Sequence, residues 1–164
     1  MPEEREEKVY EALAALGLSF AKREHPPVAT VEEAVRHWEG IPGAHCKNLF
    51  VRNKKGNHHY LIIAEHRRAV DLKSLAKVLR DDRLSFASNE RLERLLGLHP
   101  GEVSPFGLLQ DRNREVVVVL DESLRDAPFV SFHPNVNTAT VTIAFADLMT
   151  FLEWRGNRAI FVRL

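Results

Sequence analysis

Apolar residues near the start of the chain recur every three to four positions, as they do on one face of an α-helix. Val9, Leu13 and Leu16 follow this spacing, and Gly17 ends it. The same period, combined with capping residues or a closing glycine, predicts further helices at residues 30–38, 71–79, 88–96 and 145–155. Helices are therefore expected along the whole chain, separated by segments of a different period.

Those other segments have the composition of β-strands. Residues 18–24, 48–52 and 59–64 are short apolar-rich runs, and Gly56 between the last two predicts a β-hairpin. Residues 115–120 contain four consecutive valines, which predicts a central strand covered on both faces. Residues 138–143 alternate threonine with apolar side chains, so we expect one face of this strand to be polar and wet.

The order of these elements predicts an α+β fold with a central mixed, largely antiparallel sheet flanked by helices. It does not fit regular βαβ winding. A length of 164 residues suits one sizeable core, so residues 1–164 are expected to form a single domain. Neither a glycine-rich dinucleotide fingerprint nor a P-loop occurs, and the sequence gives no support for nucleotide binding of those kinds.

Charge and cysteine content narrow the function classes. The formal net charge is +0, which argues against a protein that coats DNA or other nucleic acid non-specifically. One cysteine, Cys46, allows no internal disulfide, and no stretch of about 18 apolar residues could span a bilayer. These features predict a cytoplasmic protein that does not contact membranes.

Two features that could suggest metal or thiol chemistry do not support it. Cys46 lacks a neighbouring base in an extended segment, because His45 points to the opposite face, so packing is the expected role of Cys46. The His58-His59 and Glu65-His66 pairs are adjacent, whereas ligands on a strand need alternate positions. We expect neither a metal nor another cofactor.

Four short segments carry the remaining candidate chemistry, namely Cys46-Lys47-Asn48-Leu49-Phe50, Gly101-Glu102-Val103-Ser104-Pro105, Phe132-His133-Pro134-Asn135 and Asn137-Thr138-Ala139-Thr140. In their content and order they resemble the YbaK-like editing domains, both those inserted in bacterial prolyl-tRNA synthetases and their free-standing relatives. The likeness runs over most of the chain. It is greatest to the free-standing alanyl-tRNA(Pro) deacylases, the PrdX-type or prolyl-tRNA-synthetase-associated domain proteins. Asn135 departs from their commoner pattern, which has an apolar residue there.

The resemblance implies roles for residues of these segments. Lys47 would meet the terminal adenosine or its phosphate, the Gly101 loop would hold the aminoacyl group, and His133 would shape the pocket or place a water molecule. The pocket would also be lined by Ser104, Pro105, Asn137, Thr138 and Thr140. Physical chemistry agrees, since glycine permits close backbone approach and proline stiffens a loop. Without the resemblance, Lys47 would be interpreted as a surface lysine and His133 as a structural histidine. Gly101 and Pro105 would be interpreted as ordinary loop residues.

Basic side chains suggest where the body of a tRNA could bind. Lys73, Lys77 and Arg80 share one stripe of a predicted helix, and the candidate patch extends to Lys54, Lys55, Arg67 and Arg68. A solvated charged face is the alternative for all seven.

The function implied is hydrolysis of the ester joining alanine to proline tRNA, with prolyl-tRNA synthetase as a candidate partner. None of the four segments supplies a nucleophile with a base, so catalysis would rest on positioning and on water activated by a ribose hydroxyl of the substrate. Two alternatives remain open: a non-catalytic sensor of charged tRNA or synthetase-associated binding module, and a cysteinyl-tRNA(Pro) deacylase.

Overall fold

The structure is a computed structural model, and it describes residues 2–27, 36–38 and 40–164. Four α-helices of eight or more residues occur within this described part: α1 (Pro2–Ala15), α2 (Leu72–Leu79), α3 (Asn89–Leu96) and α4 (Phe145–Arg155). Two 3-10 helices, Pro105–Gln110 and Glu122–Asp126, lie between α3 and α4. The predicted helix at 30–38 falls mainly outside the described residues, although residues 36–38 are helical.

One mixed sheet holds the fold together. Its strands are β1 (Ala21–Glu24), β2 (Ala44–Asn53), β3 (His59–Glu65), β4 (Leu84–Phe86), β5 (Val116–Asp121), β6 (Phe129–Phe132), β7 (Ala139–Ala144) and β8 (Ala159–Val162). The spatial order is β1-β7-β6-β2-β3-β5-β8, and β4 pairs separately with β2. Four pairings are antiparallel and three are parallel, which confirms the predicted mixed sheet.

The ends of the helices follow local capping chemistry. The Asp71 side chain accepts hydrogen bonds from the amides of Lys73 and Ser74, and Ser88 does the same for Arg91. Gly97 and Gly156 end α3 and α4 in the left-handed conformation, with φ of 66° and 79°. The predicted helix boundaries near these residues are therefore confirmed.

Two hydrophobic cores lie on opposite faces of the sheet. The larger core packs α1, α3 and α4 against one face, where the buried residues include Phe50, Leu61 and Val118. The smaller core packs α2 against the other face, over Val51, Ile62 and Val119. We call these the first and second faces of the sheet. Because the two cores take alternate residues of β5, the valine run is covered on both faces, as predicted.

Three strand predictions need correction. The segment at 18–24 is a strand only over Ala21–Glu24, since residues 18–20 have no ladder partner among the described residues. The valine strand β5 is interior rather than central, because only β8 lies beyond it. β4, β6 and β8 were not predicted. β4 is three residues long, which is too short for a readable period.

The threonine row of β7 differs from expectation in its exposure. Thr138 is exposed, but Thr140 and Thr142 are only 2% and 8% exposed. Both hydroxyls are hydrogen-bonded, Thr140 to His25 and Thr142 to Ser131. The prediction of a wet face is therefore wrong for these two threonines, which line a cavity together with β1 and residues 40–42 instead of facing bulk solvent.

No helix in the described ranges is both long and apolar enough to cross a membrane.

Candidate functional site

The side chains on the second face of the sheet are apolar on one half and polar on the other. Under α2 it is apolar, whereas the half formed by β1, β7 and β6 presents polar side chains that include Ser131, Thr140 and Thr142. β2 lies at the boundary between the two halves. By the alternation of a strand, His45 and Lys47 lie on this second face, since Val51 of the same strand belongs to the smaller core. The boundary is therefore where the predicted site residue Lys47 lies, two residues after His45.

The register of β2 and β6 brings Lys47 and His133 to the same level. The strands run parallel with Ala44 opposite Val130 and His45 opposite Ser131. Lys47 and His133 each follow that last pair by two residues, so both lie on the second face at the point where β6 ends. Among the described residues, no carboxylate lies within ion-pair distance of the Lys47 ammonium.

Beyond this point one edge of β2 is open. The edge pairs with β6 at residues 44–45 and with β4 at residues 51–53, and the Ala87 amide donates to the Phe50 carbonyl. Residues 46–49 have no strand partner on that side within the described part of the chain. We call this opening the β2 notch. Lys47 lies in the notch, and His133 and Phe86 lie at its two ends.

His133 is held in one tautomer. Its Nδ1 lies 3.0 Å from the Ala139 carbonyl oxygen, which can only accept, so Nδ1 carries the proton when the ring is neutral. Burial lowers the pKa of His133 from its usual 6.5, and the nearby His25 acts in the same direction. Near neutral pH the ring is therefore uncharged and its Nε2 is a hydrogen-bond acceptor.

A second histidine supports this arrangement. His25 packs edge-on against His133, with ring centroids 6.2 Å apart, and stacks on His37 at 5.0 Å. Its Nδ1 lies 2.9 Å from the Pro26 carbonyl oxygen, so its Nε2 accepts the Thr140 hydroxyl at 3.0 Å. The Thr140 hydroxyl is thereby committed to His25. Thr140 also borders a cavity of about 510 Å³ that reaches from β1 to residues 40–42.

The Gly101 loop meets the His133 segment through buried hydrogen bonds. Ser104, which is fully buried, donates to the Asn135 side chain at 2.8 Å and accepts the Phe106 amide at 3.1 Å. Asn135 has a φ of 62°, a conformation that asparagine tolerates better than apolar residues do. Asparagine therefore suits both the backbone conformation and the hydrogen bonds at position 135. Ser104 braces the loop from beneath rather than lying on its surface.

The rest of the loop is anchored at its two ends. Gly101 is exposed and has a φ of 87°, in the region that favours glycine, while Pro105 is buried at the start of a 3-10 helix. Glu102 is fixed by Arg5 of α1, whose Nη2 lies 3.1 Å from both carboxylate oxygens. Arg5 also donates to the Asn135 carbonyl oxygen at 3.5 Å. The two predicted segments thus form one rigid unit.

Two residues close to Lys47 in sequence have a buried polar atom without a hydrogen-bond partner among the described residues. They are His45, through its Nδ1, on the second face, and Asn48, through its Oδ1, on the first face by the alternation of β2. A buried acceptor without a partner is costly, so such atoms are candidates for contact with a ligand. Sequence reasoning assigned no role to Asn48, although it lies inside the Cys46–Phe50 segment that carried the resemblance. What distinguishes Asn48 is that its Oδ1 is buried without a partner among the described residues, and this is known only from the structure.

Other predicted residues lie as follows. Asn137 is half-buried and Thr138 exposed, at the entrance of β7. Cys46 is buried on the first face, and burial raises the pKa of its thiol to about 12, which confirms the predicted packing role. No cluster of three or more potential metal ligands occurs among the described residues.

The seven predicted tRNA-binding residues do not form one uniform patch. Lys73 and Lys77 are exposed on α2, but Arg80 is its left-handed C-cap with a φ of 55°. Lys54 and Lys55 are at the hairpin turn. Arg67 pairs with Glu65 at 2.9 Å and Arg68 with buried Asp121 at 3.2 Å, so their charges are partly neutralised. Binding of tRNA by these residues stays a prediction.

Comparison with known proteins agrees with this arrangement. The model of the aminoacyl-tRNA editing domain family matches residues 25–151, which include Lys47, Gly101 and His133. The prolyl-tRNA editing protein ProX of Acetoanaerobium sticklandii is 39% identical over 157 residues, covering 96% of each chain. The prolyl-tRNA synthetase associated domain-containing protein 1 of Bos taurus is 36% identical over 152 residues, covering 90% of this chain and 88% of the relative.

Solved structures show the same fold. A protein proposed to be a trans-editing enzyme for prolyl-tRNA synthetase superposes with a TM-score of 0.71 at 22% identity, over 98% of this chain and 97% of that chain. The family model covers most of this chain, and relatives above 30% identity match nearly all of it. The chain therefore belongs to the aminoacyl-tRNA editing domain family.

Proposed function

We propose that this protein is a trans-editing hydrolase that deacylates alanyl-tRNA(Pro). The observation that carries the proposal is the placement of Lys47 and His133 at the same level on neighbouring strands, beside the open β2 notch. A cation with no carboxylate partner in the described ranges suits a phosphate or ribose, and a neutral imidazole with a free acceptor nitrogen suits a water molecule. Hydrolysis of the ester of an aminoacylated tRNA requires both a bound terminal nucleotide and a positioned water molecule.

The reaction consists of attack by a water oxygen on the carbonyl carbon and cleavage of the bond to the ribose oxygen, which leaves with a proton. In this proposal Lys47 holds the terminal nucleotide in place. The loop from Gly101 to Pro105 holds the aminoacyl group with backbone amides and carbonyls. The Nε2 of His133 orients the attacking water, and a ribose hydroxyl of the substrate assists in its activation.

Specificity for alanine would follow from pocket size. A synthetase site built for proline gives up only about 1 to 3 kcal/mol of binding free energy when the smaller alanine enters, so alanine is charged in error. A second, smaller pocket that excludes proline can then hydrolyse only the wrong product. The hydrogen bonds of Ser104 with Asn135 and the Phe106 amide suit this role, because they fix the loop that would set the pocket size.

The remaining parts of the proposal concern the setting of the reaction. The substrate is the acceptor end of proline tRNA, with its body contacting the basic residues of α2 and of the hairpin turn. Action on a product of prolyl-tRNA synthetase makes that enzyme a candidate partner. The proposal includes a cytoplasmic location, where the protein would meet that product.

The test is a set of matched deacylation assays. Proline tRNA is charged separately with alanine, cysteine, serine and proline, and loss of each ester is followed with the purified protein. We expect rapid loss of alanine and sparing of proline. A Lys47→Ala preparation, purified in parallel, controls for contaminating hydrolases.

Each other outcome contradicts a defined part of the proposal. Equal loss of the alanyl and prolyl esters would contradict the size-based specificity. Preferred loss of cysteine would identify a cysteinyl-tRNA(Pro) deacylase. Binding of charged tRNA without turnover of any ester would identify a sensor or a synthetase-associated binding module.

A further inference from the structure

Phe86 is exposed to an extent that packing does not explain. Its side chain is 64% exposed, the highest value among the large hydrophobic side chains in the described ranges. It is the last residue of β4, which pairs with β2 on one side only. A single exposed apolar side chain is ordinary on a protein surface, so the role of Phe86 depends on its position in the fold.

The register of β4 places this ring at the β2 notch. Phe86 is opposite Val51, and directly paired residues share a face of the sheet. Val51 and Lys47 are on the second face, so Phe86 lies on the face that presents Lys47 and His133. The row of Val51 and the row of Lys47 are four residues apart along β2, or about 13 Å. Phe86 therefore borders the site without reaching the ester itself.

The surroundings of Phe86 favour a polyanion. Lys73 and Lys77 of α2 border a cavity of about 470 Å³ together with Arg83 and Leu84 of the segment leading into β4. The two acidic residues of the same cavity are already engaged. The Asp81 carboxylate accepts hydrogen bonds from Asn53 and Tyr60 and pairs with His58, and Asp82 accepts the Lys54 amide. Phe86 does not itself line this cavity, but Leu84 does, and Leu84 lies two residues before Phe86 on the same face of β4. A group of cations near an exposed ring is the combination that binds single-stranded nucleic acid.

We propose that Phe86 is a stacking platform for a nucleobase of the single-stranded 3′ end of the tRNA. The base concerned precedes the aminoacylated nucleotide, because that terminal nucleotide is held at Lys47 and the ring lies about 13 Å further along the notch. This inference rests on the proposed function, since it takes the same tRNA as occupant. It assigns Phe86 to binding of the strand and not to the chemistry of the ester.

The test measures binding of uncharged proline tRNA, so it does not depend on turnover. Dissociation constants are determined by fluorescence anisotropy for the parent protein and for Phe86→Ala, Phe86→Leu and Phe86→Trp. Val78→Ala is the matched control, because Val78 is 60% exposed on α2 but lies outside the notch. Each protein is also titrated with a tRNA that lacks its last three nucleotides, and melting temperatures verify folding.

We expect Phe86→Ala and Phe86→Leu to weaken binding of intact tRNA about tenfold, or about 1.4 kcal/mol, within the range for base stacking on an aromatic ring. Phe86→Trp should bind within about threefold of the parent and Val78→Ala within about twofold. The slope of log K against log salt should stay unchanged in all of them, because the same phosphates remain neutralised. With the truncated tRNA the Phe86 variants should bind as the parent does.

Several results would overturn the inference. Equal weakening for intact and truncated tRNA would show that Phe86 does not contact the 3′ end. A change of oligomeric state in Phe86→Ala by sedimentation, with tRNA affinity unchanged, would assign the ring to contact between protein copies. Failure of all deacylation assays combined with the expected coupling to the 3′ end would reject the proposed function while supporting the role of Phe86.

Discussion

At the scale of single residues, Lys47 and His133 differ in how the structure constrains them. His133 is fixed by a hydrogen bond to Ala139 and by the ring of His25. Lys47 is fixed at its backbone by the pairing of β2 with β3, where it is opposite Ala64, and its ammonium has no carboxylate within ion-pair distance among the described residues. A site of this kind combines one rigid neutral group with one cation whose position depends on the strand. Each group can therefore be tested by itself.

Replacement of Lys47 by alanine should lower deacylation of alanyl-tRNA(Pro) at least tenfold, a rise of about 1.4 kcal/mol or more in the barrier. The reason is that a misplaced ester reacts more slowly even when the tRNA body still binds. The measurement is single-turnover ester loss at saturating protein, with circular dichroism and melting as checks of folding. A well-folded variant within about twofold of the parent would return Lys47 to the class of ordinary surface lysines.

His59 offers a prediction for stability. The side chain is 6% exposed, and its Nε2 lies 3.0 Å from a guanidinium nitrogen of Arg91, which can only donate. Burial, together with the charge of Arg91, lowers the pKa of His59 from 6.5 to about 4. Between pH 6.5 and pH 4 the unfolded chain therefore binds a proton that the folded chain does not, so stability falls as the pH falls through this window.

We expect this group to cost on the order of 2 kcal/mol of unfolding free energy at pH 5 relative to pH 7.5. His59→Gln keeps an acceptor for Arg91 but cannot be protonated, so its stability should fall less steeply between these pH values. Urea unfolding of both proteins at several pH values measures the difference, and the carboxylates common to both cancel. Parallel pH profiles of the two proteins would contradict the prediction.

At the scale of elements, the sequence predicts a helix or hairpin correctly where the residues that determine it are close together in the chain. The helices at 71–79, 88–96 and 145–155 and the hairpin around Gly56 were predictable, because caps, periodicity and turn residues lie next to one another in the chain. β4 was not, since three residues carry no period. The order of strands in the sheet could not be predicted from the sequence either, because it depends on contacts between distant segments.

The candidate site divides in the same way. The motifs pointed to Lys47 and His133, and the register of β2 and β6 places both two residues beyond the last paired residues. They did not reveal that Ser104 is buried beneath its loop or that Asn48 has a buried acceptor without a partner in the described ranges. Both facts are consequences of burial. Burial is determined by the packing of the whole sheet and not by the residues next to these positions in sequence.

Gly43 provides a test at the junction between β2 and the segment that covers the second face. It has a φ of 91°, and an added Cβ would clash with the backbone carbonyl group of Phe129 and lie 2.7 Å from its Cβ. Gly17 has a φ of 70° but open space around it. Gly17→Ala should cost about 1 kcal/mol for the left-handed conformation alone. Gly43→Ala should cost about 1 to 3 kcal/mol more, because Phe129 must move.

Urea unfolding of the two glycine variants measures this difference, and deacylation assays on Gly43→Ala show whether the junction also positions the site. Equal destabilisation of the two variants would show that Phe129 can move aside at little cost in free energy. The close approach of Gly43 to Phe129 would then not contribute to stability.

At the scale of the whole molecule, the sheet separates stability from function. The first face is covered by α1, α3 and α4 over the larger core, and the second face carries the smaller core and the polar half next to the β2 notch. That residues 1–164 act as one domain stays a prediction, which the sharing of one sheet by both cores favours. Neutral overall charge means that attraction of tRNA must come from local patches, and α2 supplies the candidate on the notch side.

Charge reversal on α2 tests whether its lysines, Lys73 and Lys77, contact the tRNA. Lys73 and Lys77 lie one helical turn apart on the exposed side of α2, whereas Arg80 is a left-handed cap whose replacement would disturb the helix end. Lys73→Glu combined with Lys77→Glu should therefore weaken tRNA binding and lower the slope of log K against log salt by about 0.7 to 0.9 for each phosphate that is no longer neutralised. The matched control is Lys8→Glu combined with Arg112→Glu, which makes the same change in net charge at exposed positions outside the predicted patch. The control should weaken binding only slightly and leave the slope near that of the parent, because it reduces long-range attraction without removing a cation from a phosphate. If both double variants change the slope equally, net charge alone explains tRNA binding, and α2 is a solvated face rather than part of the interface.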